Sequence, residues 1–168
     1  ERLLKVFGPR YDLTFFMAHS LELEGDLESA LKLFKEALGQ NPDPREVASI
    51  HVHIGSCCKD MEAYSEALEA LAEAEKLNNE LKEIYNLRGF CHFKLKQHQE
   101  AIAAFERAIE IDPGSAIDYA NIGSNLRELG FKAEAIKLYK MALELDPEID
   151  FARDNIARLE RELDQGQA

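Results

Sequence analysis

Apolar residues recur along this chain at the spacing of short amphipathic helices. Between Ala116 and Pro147, Tyr119, Ile122, Gly123 and Leu126 share one helical stripe, and Ala135, Tyr139 and Ala142 share another. Leu129-Gly130-Phe131 separates the two stripes and predicts a tight turn. The pattern has a copy earlier in the chain, at Tyr85, Gly89, His92, Ala101, Phe105, Ala108 and Pro113, in the same order and with the same spacing. Self-similarity at a fixed period predicts a tandem of helix pairs, whose function is read from a surface.

The same frame divides the rest of the chain. Repeat one spans 11–44, with Phe15, Phe16, Met17 and Leu21, a turn at Gly25-Asp26, and Ala30, Phe34 and Ala37. Ala18 keeps a small residue where later repeats have glycine. Asp43 is suited to capping the next helix and Pro44 to its first position. Repeat two spans 48–81, with Ile54-Gly55, Ala67, Leu71 and Ala74. The step from Ala30 to Ala67 is three positions longer than the equal steps from Ala67 to Ala101 and from Ala101 to Ala135. The extra residues fall at Arg45 to Val47 and predict a first helix one turn longer than its neighbours. Asn78-Asn79 replaces the closing proline and predicts a helix that ends in the left-handed conformation.

Repeats three and four span 82–115 and 116–149. Residues 150–164 put Phe151, Ile156, Leu159 and Leu163 on one stripe and charge elsewhere, which predicts a capping helix before a flexible tail at 165–168. Residues 1–10 end in a Gly8-Pro9 break, and read equally as the end of a preceding helix or as a plain N-terminal extension.

These positions resemble the tetratricopeptide repeat, with its aromatic, Leu-Gly, aromatic, Ala, aromatic, Ala and Pro signature. The resemblance covers all four repeats, and repeat four fits best. Departures are Arg88 in repeat three, Thr14 and Ala18 in repeat one, and His51 and Asn79 in repeat two. The resemblance implies an all-α fold, a right-handed α-solenoid of antiparallel helix pairs whose first helices line a concave groove. Carried across residue by residue, it places Phe15 and His19 of repeat one and Val52 and Ser56 of repeat two in that groove. Repeat three contributes Asn86, Phe90 and Phe93, repeat four Asn121, Ser124 and Arg127, and the last helix Arg158. Phe90 and Phe93 are the expected anchors for a bound chain, with partial burial between neighbouring helices as the competing reading. The slots that clamp a partner's terminal carboxylate in some family members hold Phe15, His19, Glu83 and Leu87, so an acidic C-terminal tail is disfavoured as a ligand.

Composition narrows the function. The net charge of −12 over 168 residues argues against nucleic acid and against an anionic membrane surface. The apolar runs are too short to span a bilayer. Cys57, Cys58 and Cys91 make an odd count without disulfide or metal spacing, which suits a reducing, cytoplasmic compartment; a chain that had lost a signal sequence would read the same. Cys57 and Cys91 share one framework position, as buried small residues. His51 and His53 are two apart on a helix, point to different sides and cannot share a metal. Phosphate-loop, serine-elbow and HExxH motifs are absent, and neither catalysis nor a cofactor or metal is expected. The sequence therefore points to a non-enzymatic scaffold that binds a peptide segment of a protein partner. Self-assembly into a homo-oligomer and an accessory region of a larger enzyme stay open beside it.

Overall fold

The computed structural model describes residues 11–40 and 42–166. The alternatives for residues 1–10 lie outside them. The described residues form nine helices and no strand: α1 (Tyr11–Glu24), α2 (Leu27–Leu38), α3 (Pro44–Asp60), α4 (Tyr64–Leu77), α5 (Lys82–Lys94), α6 (His98–Ile111), α7 (Ala116–Glu128), α8 (Lys132–Leu145) and α9 (Asp150–Gly166). The fold is an all-α helical repeat of the solenoid class. It divides into two compact units, with the division inside α5 between Leu87 and Arg88.

Local chemistry sets the helix ends. Asp43 accepts from the backbone N–H groups of Arg45 and Glu46, while Glu46 accepts from the N–H of Asp43, a complete capping box with Pro44 in the first turn. The helix it starts, α3, has 17 residues against 14 in α1 and 13 in α5 and α7, the added turn that the insertion predicts. Each turn within a helix pair needs one residue at positive φ. Gly25 and Gly130 supply it at 83° and 86°, and Glu62 and Lys96 take the same conformation at 60° and 59°. Asn78 corrects an expectation. It ends α4 in the extended conformation, at φ −152°, and its side chain accepts from the backbone N–H of Glu80. An asparagine side chain that bonds the backbone two residues on makes its own turn and does not need left-handed backbone. The last helix also outlasts its expected end: Gln165 and Gly166 are helical.

In the first unit α1 packs on α2 and α3, and α3 packs on α2 and α4. Phe34, Ile50, Leu71 and Ile84 are fully buried there among Ala18, Ala30, Ala48 and Ala67. Gly55 lets α3 approach α4, because a Cβ there would meet Leu71 at 2.8 Å. In the second unit α7 packs on α6 and α8, and α9 closes on α8. Its core gathers Ala120, Ala135, Tyr139, Ala142, Ile149, Ala152 and Leu159, with a second group of Ala101, Phe105 and Ile122. A Cβ at Gly89 would lie 2.6 Å from the Phe105 ring, and one at Gly123 3.1 Å from Tyr139.

Candidate functional site

The first-helix face of the first unit is built around an aromatic group. The Phe15 ring contacts those of Tyr11, Phe16 and Phe34, with centroids 5.7–6.1 Å apart. Phe34 is fully buried, and His53 of α3 stacks on it at 5.1 Å with an interplanar angle of 12°. Phe15 meets the same imidazole edge-on at 5.3 Å. Phe15 is thus a half-buried part of this cluster, not a bare groove aromatic. His19, one turn along α1, stacks on Phe15 and approaches the His53 ring at 5.1 Å.

Both imidazoles converge on one carboxylate. His53 Nδ1 lies 2.8 Å and His19 Nδ1 3.3 Å from the same Glu22 Oε2. Ser56 and the Cys57 thiol also hydrogen-bond Glu22. Burial alone would raise the Glu22 pKa. The hydrogen bonds from His53, His19 and Ser56 outweigh it and hold the carboxyl below its ordinary range. Burial, then the neighbouring Glu22 charge, pushes the Cys57 thiol up to about 12, so at neutral pH it is an unreactive donor. Cys58 and Cys91 are also buried, and among the described residues neither forms a disulfide.

Beside this cluster lies a depression of about 560 Å³ formed only by α1, α3 and α5. Leu23, Val52 and Leu87 give it apolar walls, and His19, Glu22, His53, Ser56, Asp60, Glu83 and Asn86 give it polar ones. The structure therefore brings His19, Val52, Ser56 and Asn86 together out of the positions expected in a groove.

The second unit presents a different face. Phe90 is exposed (38%), and the Lys94 ammonium sits 5.4 Å from its ring centroid. Phe93 is half-buried, packed on Ala101, Phe105 and Ile122 and edge-on to His98 at 5.9 Å. On α7, Ser124 donates to the Ala120 carbonyl at 3.1 Å and pairs with the Tyr139 hydroxyl at 3.0 Å. Asn121 is half-buried, and its carbonyl accepts from the side chain of the buried Asn125. Asn155 on α9 accepts from both Arg127 and Arg158, so two guanidinium groups meet at one amide oxygen. Arg127 also holds the Glu128 carboxyl below its ordinary range through a direct hydrogen bond.

Sequence reasoning missed one of these residues, Asn155, and the partners of another, Glu22, which the repeat frame carries into the groove beside His19. Glu22 lies three residues after His19, on the same helix face, which was a visible signal. Its meeting with His53 required knowing how α1 lies against α3. Asn155 was within reach, since it follows Asn121 by one repeat length and the frame extends into the last helix.

Among the described residues no helix is long and apolar enough to cross a membrane. Family models described as tetratricopeptide repeat match residues 83–115 and 119–149. Among solved structures, a crystal structure of MamA aligns with a TM-score of 0.81 and 24% identity, over 88% of this chain and 84% of that one. MamA from Desulfovibrio magneticus RS-1 aligns with a TM-score of 0.84 and 20% identity, over 94% and 87%. YrrB, described as a TPR protein with an unusual peptide-binding site, aligns with a TM-score of 0.79 and 20% identity, over 90% and 76%. At these identities the likeness is one of fold.

Proposed function

The chain belongs to the tetratricopeptide-repeat family, and from that premise we propose that it is a non-enzymatic scaffold that binds a peptide segment of a partner protein on its first-helix faces. The observation that carries this reading is the depression between α1, α3 and α5 in the first unit. An extended peptide arrives with unpaired backbone donors and acceptors. The Asn86 amide offers both kinds of group, and the Ser56 hydroxyl adds another. Leu23, Val52 and Leu87 supply apolar surface for a side chain between them. Of its carboxylates, Glu22 is bound by His53 and His19 and Asp60 is paired with Lys59 at 2.7 Å, so Glu83 is the one that favours a segment with a basic side chain. The fold likeness to YrrB supports peptide binding as a use of this architecture.

Panning a peptide library against the whole chain, followed by calorimetry, tests the reading. Val52→Arg fills the depression and Asn86→Ala removes the amide, and each should weaken the selected peptide about tenfold or more. Equal affinity for the parent and both variants, with unchanged circular dichroism, overturns it. The Phe90→Ala/Phe93→Ala double variant separates the two units' contributions: a loss as large as that from Val52→Arg would move the anchor to the second unit.

Self-assembly is the second reading. Phe16 and Leu23, two turns apart on one face of α1, are 66% and 76% exposed. Sedimentation at several concentrations would show association that Phe16→Ser abolishes; a concentration-independent monomer removes this reading.

A further inference from the structure

We propose that His19, Glu22 and His53 form a site for one divalent transition-metal ion of borderline softness, of which Zn²⁺ is the best fit. One ligand atom from each of the three lies within 4.8 Å of the other two. A four-coordinate zinc holds nitrogen and oxygen ligands at about 2.0–2.1 Å, which puts neighbouring ligand atoms about 3.3 Å apart. The His19 Nδ1 to Glu22 Oε2 separation is already 3.3 Å, and the His53 Nδ1 to Glu22 Oε2 separation of 2.8 Å need open only slightly. Two imidazoles and a carboxylate form a donor set that suits zinc and its neighbours in the transition series and gives magnesium or calcium little.

The ligands are also held in place. His53 stacks on the buried Phe34 and meets Phe15 at a steep angle, contacts that fix its ring plane. The Glu22 side chain is only 12% exposed, which confines its carboxylate to the inner side of the site. His19, with 40% of its side chain exposed, gives the ion a route from solvent. Without metal, both imidazoles donate an Nδ1 proton to Glu22. On binding, each ring carries its proton on Nε2 and turns the Nδ1 lone pair to the ion. Three protein ligands leave a fourth position for water. The ion would join α1 to α3 through side chains from two helix pairs.

Titrating the whole chain with ZnCl₂ in a calorimeter at pH 7.5 should show one saturable site per chain, reversed by EDTA. His19→Gln, Glu22→Gln and His53→Gln should each weaken it by about tenfold or more, while His92→Gln, on α5 and paired with Gln97, leaves it unchanged. Co²⁺ in place of Zn²⁺ should give the visible absorption of a four-coordinate ion, a readout that does not depend on any variant folding. The proposal is overturned by absence of a one-per-chain site, by a six-coordinate Co²⁺ spectrum, or by equal zinc affinity in the three ligand variants and the His92→Gln control. Peptide binding that survives EDTA leaves the scaffold reading standing whichever way the metal titration falls.

Discussion

In the first unit the close approach of two helices is made at Gly55, which faces Leu71; in the second it is made at Gly89 against the Phe105 ring and at Gly123 against Tyr139. The framework solution is the same: a residue with no side chain on one helix and a large apolar one on its partner. The first-helix faces diverge. The first unit gathers imidazoles, phenyl rings and a carboxylate that is 12% exposed. The second gathers hydroxyls, amides and two guanidinium groups around Asn155. Positions that pack one helix pair against itself are constrained alike in both units, whereas positions on the first-helix face are not. Binding specificity is therefore sought in the second set.

The largest predicted effects test the shared framework. Phe105→Ala should cost about 3–5 kcal/mol, through lost burial and the cavity left behind. Gly89→Leu should cost about 1–3 kcal/mol or more by overpacking, since the Cβ alone would meet the ring at 2.6 Å. Gly89→Ala combined with Phe105→Leu should lose less than the sum of the two single variants, because the smaller partner makes room. Strict additivity of the melting shifts would show that Gly89 and Phe105 are not coupled by a close approach.

Replacing one carboxylate in each unit tests the divergent faces. Glu22→Ala should cost about 1–3 kcal/mol, because His53, His19 and Ser56 lose a shared acceptor in a largely covered site. Glu128→Ala, with 41% of its side chain exposed, should stay within about 0.5 kcal/mol. The pH dependence follows from the lowered Glu22 pKa. Its stabilisation is present above the ordinary glutamate pKa and is lost as pH falls through the lower folded value. Glu22→Gln should therefore flatten the acid limb of the stability curve. An unaltered acid limb in denaturant titrations at stepped pH would mean that this carboxylate is no more committed than its exposed counterpart.

The smallest effect compares the turns. Glu62→Gly and Lys96→Gly place glycine where φ is 60° and 59°. Each should raise stability by up to about 1 kcal/mol, since the left-handed strain removed exceeds the entropy that glycine adds. Gly130→Ala should do the reverse, for although a Cβ there meets no atom within 4 Å, φ is 86°. A lower melting temperature in the first two variants would show that Glu62 and Lys96 make contacts worth more than the strain.

Much of the fold was legible because it rests on local rules. Asp43, Pro44 and Glu46 carry a helix start within one turn of chain, and three inserted residues lengthen α3 by about a turn with the helix still in place. Asn78 was misread because two local devices, left-handed backbone and a side-chain turn, suit asparagine equally. The candidate site was less legible. Val52, Ser56 and Asn86 could be placed on first-helix faces from the frame alone. Whether Phe15 and Phe93 face solvent or pack was not accessible, since each sits at the edge of a face where one neighbouring ring decides its burial. His19 and His53, on separate helix pairs, come within 5.1 Å through helix packing.

By itself the sequence determined the repeat, its helices, its small-to-large packing positions and its closing helix, because periodicity and capping act over a few residues. Only the tertiary structure decided that the Glu22 carboxylate is shared by two imidazoles, that Phe34 fixes the plane of one of them, and that Asn155 gathers two arginines. Those are meetings between helices. Their geometry depends on how side chains from separate turns interlock, and no spacing along one helix encodes it.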